Sequence, residues 1–111
     1  MNGKQAETLA AQFLEQKGYG IVGRNVRLKH WEVDIIAQNS NMMIFVEVKK
    51  RKSVQYGFPE TFVSPQQQKR IRQVAEAYIF QTNWLGEVRF DIISIVAEGE
   101  AVQIEHFEDA F

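Results

Sequence analysis

Glu32-Val33-Asp34-Ile35-Ile36-Ala37, a polar break at Gln38-Asn39-Ser40-Asn41, then Met43-Ile44-Phe45-Val46-Glu47-Val48-Lys49: read together, these residues make a β-hairpin. Strand side chains alternate between faces, so Glu32 and Asp34 share one face of the first strand and Glu47 and Lys49 share one face of the second. A register that aligns those faces brings two carboxylates and an ammonium together. Mg²⁺ takes oxygen ligands in octahedral geometry and needs only one or two carboxylates, leaving waters and substrate phosphate to complete its shell. Asp34 and Glu47 fit that role, and Lys49 is placed to stabilise charge developing on a phosphate. Phosphodiester hydrolysis is the reaction class that follows, with Glu7 as a candidate to complete the shell through a water.

The same residues have an ordinary reading. Glu-x-Lys on one strand face is also a solvent-facing pair, worth about 0–1 kcal/mol as a surface salt bridge. Against it stands the setting of Glu47, which interrupts a run that is otherwise apolar on both faces, Ile44 to Val48. An acid there needs a metal or a cation to offset its desolvation.

Outward from the hairpin, Ala6, Leu9, Ala10, Phe13 and Leu14 recur at helical spacing, which predicts a helix over residues 4–17 ended by Gly18. Glu7 lies at the edge of its apolar stripe, able to look toward a sheet. Ile21 to Leu28 reads as a strand, with a turn at Lys29-His30. Arg51 to Pro59 reads as an exposed loop carrying Tyr56 and Phe58, whose rings could stack on bases or simply anchor the loop. Ser64 as N-cap and Pro65 in the first turn open a second helix with Ile71, Val74, Ala75, Tyr78 and Ile79 on its apolar face. Val88 to Val96 and Val102 to Phe107 complete a sheet of about five strands.

The chain has 111 residues, 45% of them apolar, which suits one domain spanning residues 1–111. With no cysteine, disulfides and thiolate zinc sites are excluded. His30 and His106 are too isolated for a histidine metal cluster, and surface placement or core filling is expected of them. No P-loop, nucleophile elbow or dinucleotide-binding glycine pattern occurs. The start of the chain lacks a signal pattern and no apolar run is long enough to span a bilayer, so a soluble cytoplasmic protein without a membrane partner is expected.

The net charge of -1 hides a division along the chain. Residues 98–111 hold five acids and no Lys or Arg, leaving thirteen basic against nine acidic side chains before them. From Lys49 to Arg72, seven basic residues (Lys49, Lys50, Arg51, Lys52, Lys69, Arg70, Arg72) meet a single acid, Glu60. A local positive field of this kind suits a polyanion, and a solvated charged face is its ordinary alternative.

These motifs together resemble the YraN-like family of small bacterial proteins: Ala6-Glu7, Arg24-Asn25-Val26-Arg27, Glu32 to Ala37, Phe45 to Lys49, Val63-Ser64-Pro65, Arg89-Phe90-Asp91 and Ala110-Phe111. That family is similar in motif to the restriction-endonuclease-like superfamily and, within it, to archaeal Holliday junction resolvases. The resemblance implies an α/β fold with a mixed central sheet flanked by helices, and a DNA endonuclease using Mg²⁺ or Mn²⁺, branched DNA included among its substrates. It makes Asp34, Glu47 and the main-chain carbonyl of Val48 the metal ligands, Lys49 the catalytic lysine and Glu7 the helix-borne acid. Candidate nucleic-acid contacts are Arg24, Arg27, Lys50, Arg51, Lys52, Gln67, Lys69, Arg70 and Arg72. The chain departs from the family pattern at Ala6 and Trp31, where glycine is usual, and at Gln67, where lysine is usual; a phosphate contact from position 67 would be weakened or taken over by Lys69.

Two other readings stay open: a catalytically silent nucleic-acid-binding module or adaptor with the same fold, and a protein-interaction domain. Junction resolution would require two active sites and hence a homodimer, with Trp84, Leu85, Phe107 and Phe111 as interface candidates.

Overall fold

The computed structural model describes residues 1–51 and 62–111. Seven elements follow in order: α1 (Gly3–Gln16), β1 (Gly20–Leu28), β2 (Trp31–Asn39), β3 (Met42–Arg51), α2 (Pro65–Thr82), β4 (Glu87–Glu98) and β5 (Ala101–Phe107). The strands form one five-stranded sheet in sequence order. β1, β2 and β3 are antiparallel to one another, β3 and β4 are parallel, and β5 returns antiparallel to β4. The parallel step needs a crossover, and α2 lies within it. The chain is thus an α/β protein with a mixed sheet, as its motifs imply.

Each helix begins where side chains replace missing intrahelical partners. Asn2 and Gln5 form a reciprocal capping box on α1, and Ser64 caps α2 with Pro65 in the first turn. Asn83, with φ of 57°, supplies the left-handed residue that closes α2.

The helices cover opposite faces of the sheet. Ala6, Ala10, Ala11 and Leu14 of α1 pack on Ile35, Ala37, Ile44, Val46, Ile93 and Ile95. Ile71, Val74 and Ala75 of α2 pack on Val33, Ile36, Met43, Phe45 and Ile92. The alternation of β3 between these two sets, from Met42 to Val46, is why it reads as an unbroken apolar run.

The β2–β3 turn is tighter than its four polar residues suggest. Asn39 pairs with Met42, so Ser40-Asn41 alone makes the turn, and Ser40 takes a φ of 52°. Lys52, Tyr56 and Phe58, with the rest of the expected basic loop after Arg51, lie outside the described residues. Among the described residues no helix is long and apolar enough to cross a membrane.

Candidate functional site

Pairing between β2 and β3 runs from Asn39↔Met42 to Ile35↔Val46 and stops there. The next pair would have set Asp34 opposite Glu47. Instead the Val48 N–H donates to Asp34 Oδ2 at 2.8 Å, so a side chain occupies a donor beside the end of the ladder. Facing also changes at Asp34: Val33 belongs to the α2-side cluster although Ile35 belongs to the α1 side. A broken ladder and a change of facing part the two strands where the acids stand.

The opening is a cleft of about 380 Å³ beside the N-terminal turns of α2, lined by Glu32, Asp34 and Glu47 from the sheet and Gln67 and Arg70 from the helix, with His30 and Trp31 at one wall. Lys49 lies two residues beyond Glu47 on the same strand face, and its Nζ donates to Gln67 Oε1 at 3.4 Å. Gln67 Nε2 donates in turn to Glu47 Oε2 at 3.2 Å.

Only 8% of Glu47 is exposed. Burial, then a hydrogen bond shared with the Asp34 carboxyl and the charge of Asp34, push the Glu47 pKa up to about 9; Lys49 offsets part of that rise. Burial and the facing carboxyl thus both disfavour the charged form of Glu47. The oxygen-only donor set, two carboxylates with the Val48 carbonyl expected to join them, suits a hard divalent cation that keeps several waters. Among the described residues no three His, Cys, Asp or Glu side chains form a ready-made metal cage.

Glu7 stands apart from the cleft lining. Its Oε1 accepts from Asn25 Nδ2 at 2.8 Å and lies 4.0 Å from Arg24. Asn25 takes a left-handed φ of 50° on β1, opposite the break in β2. Burial raises the Glu7 pKa, the Asn25 bond lowers it, and the charges of Asp34 and Glu32 raise it further, so the field of the cleft acids extends to this helix.

The expected nucleic-acid contacts divide between the two faces. Arg70 lines the cleft, and Lys69 is exposed one residue before it. Arg27 is exposed on β1, 4.0 Å from Glu32. Arg24 donates to Thr8 Oγ1 of α1 at 3.2 Å, and Lys50 donates to the carbonyl of Met1, ahead of α1, at 3.0 Å. The Arg51 guanidinium lies 3.9 Å from the centre of the Phe62 ring, and that of Arg72 lies 4.7 Å from Phe90 and 5.7 Å from Phe111. Strand alternation separates Lys50 from its neighbours, and aromatic packing engages Arg51 and Arg72. Of the interface candidates, Phe107 and Phe111 pack on the α2-side core and Trp84 Nε1 donates to the Glu87 carbonyl, whereas Leu85 is 90% exposed.

A second buried charge cluster lies across the sheet. Asp91 has no exposed surface, and its carboxylate accepts from Arg89 Nε and Nη2 at 2.8 Å each, His106 Nε2 at 2.7 Å and the Asp109 N–H at 3.1 Å. Lys17 Nζ, which can only donate, lies 2.8 Å from His106 Nδ1; Nδ1 must therefore accept, and Nε2 carries the proton toward Asp91. Arg89 also donates to the Tyr19 hydroxyl at 2.8 Å. His106 is thus a buried hydrogen-bond donor to Asp91 and not the surface or filler residue its isolation in sequence suggests. The clue available in the sequence was Asp91 itself, an acid followed directly by Ile92-Ile93 within a strand.

A mixed-sheet α/β protein with a carboxylate cleft at the parted end of a hairpin is the class that this fold and site define. Comparison with known proteins makes it more particular: the chain belongs to Uncharacterised protein family UPF0102, whose family model matches residues 6–95. The matched span holds Glu7, Asp34, Glu47, Lys49 and Gln67. The chain is 47% identical over 96 residues to a UPF0102 protein of Cytophaga hutchinsonii, covering 86% of this chain and 85% of that one. It is 41% identical over 109 residues to one from Flavobacterium psychrophilum, covering 98% and 92%, and 40% identical over 111 residues to one from Syntrophus aciditrophicus, covering 98% and 87%. This is the YraN-like family that the motifs resemble.

Proposed function

We propose that this chain hydrolyses phosphodiester bonds of DNA, branched DNA included, with Mg²⁺ or Mn²⁺ held by Asp34, Glu47 and the Val48 carbonyl. The observation that carries this reading is the buried Glu47 drawn against Asp34 where the hairpin parts, with Lys49 on the same face. Two acids that repel each other in a poorly solvated cleft form an arrangement that costs stability unless a proton or a cation joins them. A divalent cation bound there supplies Lewis-acid activation and offsets phosphate charge.

The chain's own groups do the rest. Asp34 is oriented by the Val48 N–H, so its carboxylate is fixed before substrate arrives. Lys49 offers an ammonium to charge that develops on the phosphate, where a low local dielectric strengthens it. Arg70 lies in the same cleft, suited to a neighbouring phosphate. Glu7, restrained by Asn25, adds negative field from α1.

The test is purified protein against linear, nicked, flapped and four-way DNA across a titration of Mg²⁺ and Mn²⁺. Cutting that needs the metal and disappears in Asp34→Ala and Lys49→Ala supports the proposal. Binding without cutting on every substrate, in the wild type as in the variants, would replace it with a silent nucleic-acid-binding module.

A further inference from the structure

Gln67 is set by the start of α2: its N–H donates to Ser64 Oγ at 3.1 Å, and Pro65 fixes the backbone of the first turn. From that anchor the side chain stands between two charged groups. Nε2 donates to Glu47 Oε2 and Oε1 accepts from Lys49 Nζ. An ammonium can only donate and an ionised carboxylate can only accept, and a primary amide carries one group of each kind on a rigid plane. A lysine at position 67 would have no acceptor and would repel Lys49; a glutamate would have no donor and would repel Glu47.

Opposite charges two residues apart on one strand face can close on each other directly, which would turn the ammonium away from a phosphate. We infer that Gln67 is a positioning residue that keeps Lys49 and Glu47 apart in fixed geometry, so that the cation faces the scissile phosphate. This rests on the hydrolytic reading of the cleft. In that reading Gln67 neither touches the phosphate nor contributes charge, which separates it from the phosphate contact expected at its position.

The experiment compares wild type with Gln67→Ala, Gln67→Glu and Gln67→Lys, and with Gln66→Ala as an exposed neighbour on the same turn. Two readouts are taken: cleavage kinetics on one DNA substrate, and the ¹H–¹⁵N NMR signal of the Lys49 ammonium, assigned by its loss in Lys49→Arg. Misplacing a charged group lowers kcat roughly 10- to 100-fold with little change in KM, and that is expected of Gln67→Ala. Gln67→Glu and Gln67→Lys should be as slow, because each serves only one end of the bridge, and Gln66→Ala should match wild type. The ammonium signal, slowed in exchange by its bond to Gln67, should vanish in Gln67→Ala. A Gln67→Lys variant that cuts at the wild-type rate, a KM effect without a kcat effect, or an ammonium signal that survives in Gln67→Ala would each overturn the inference. A wild type that cuts no DNA would defeat the hydrolytic reading, and the ammonium signal would then decide whether the bridge exists.

Discussion

Two buried carboxylates on neighbouring strands meet opposite fates. Asp91 pairs with Val46, and Glu47 with Ile92, so the two acids are one step apart along the same β3–β4 ladder but face opposite sides of the sheet. At Asp91 burial works against the charge, yet the bonds from His106, Arg89 and the Asp109 N–H outweigh it and hold the carboxyl below its usual range. At Glu47 burial acts together with a second carboxyl, and the pKa rises to about 9. One acid is surrounded by donors from its own chain; the other faces a second carboxyl and accepts from Gln67. Burial of an acid alone therefore does not mark a candidate site; burial against a second carboxyl is what distinguishes Glu47 from Asp91.

The strongest way to break this comparison is at Asp91. Asp91→Ala leaves Arg89 without its bidentate partner and frees the contact that ties Asp109 to β4; removing one member of a buried pair costs about 3–5 kcal/mol, to be read from urea denaturation. A loss below about 1 kcal/mol would mean that the cluster is not what holds the C-terminal segment.

The cleft should behave in the opposite manner. Lys49→Ala is expected to slow cleavage roughly 10²- to 10³-fold, the range for removing one preorganised donor, while the urea midpoint stays close to wild type. An equal loss of stability and rate would place Lys49 with Asp91 as a structural residue.

Titration sharpens the contrast. The folded pKa of Glu47 lies above its unfolded value, so in metal-free buffer its contribution is fully present below about pH 4.5 and is lost as pH rises toward 9. The slope cannot exceed about 1.4 kcal/mol per pH unit for one proton. Glu47→Gln should remove this alkaline loss, making the variant more stable than wild type at pH 8 without metal, and Mg²⁺ should raise the wild-type melting temperature more than that of the variant. For Asp91 the sign reverses: its contribution is present above the unfolded value of 3.8 and is lost only as pH falls through the lower folded value. Thermal melts from pH 3 to pH 9 on the two variants measure both limbs.

The smallest effect is expected at Ser64, whose hydroxyl caps the helix turn that carries Gln67. Ser64→Ala should cost about 1 kcal/mol in urea denaturation, with a modest fall in cleavage rate as the turn loosens.

Much of this molecule was legible in one dimension. Period-two alternation located β2 and β3 and set Glu47 and Lys49 on a common face; the Ser64-Pro65 signal located the start of α2, and helical spacing its apolar face. The mixed sheet flanked by helices was implied by the family resemblance, whereas the strand order and the parallel β3–β4 step are fixed by pairing that the apolar pattern leaves open. The division of the basic run was partly legible too, since Lys49 and Lys50 must face opposite sides of one strand.

What lay beyond the sequence were contacts between residues far apart in the chain. The break of the β2–β3 ladder after Ile35↔Val46 depends on Asp34 taking the Val48 N–H, a contest between side chain and backbone that no propensity encodes. The Gln67 bridge depends on where α2 lands over β3, and the role of His106 depends on β5 returning it to Asp91 across fifteen residues of chain. Local chemistry determined which residues carry charge and which face of a strand they occupy, because alternation is a property of the backbone. Only the tertiary structure decided which charges are satisfied, because desolvation and donor count are properties of what packs around a group and not of its neighbours in sequence.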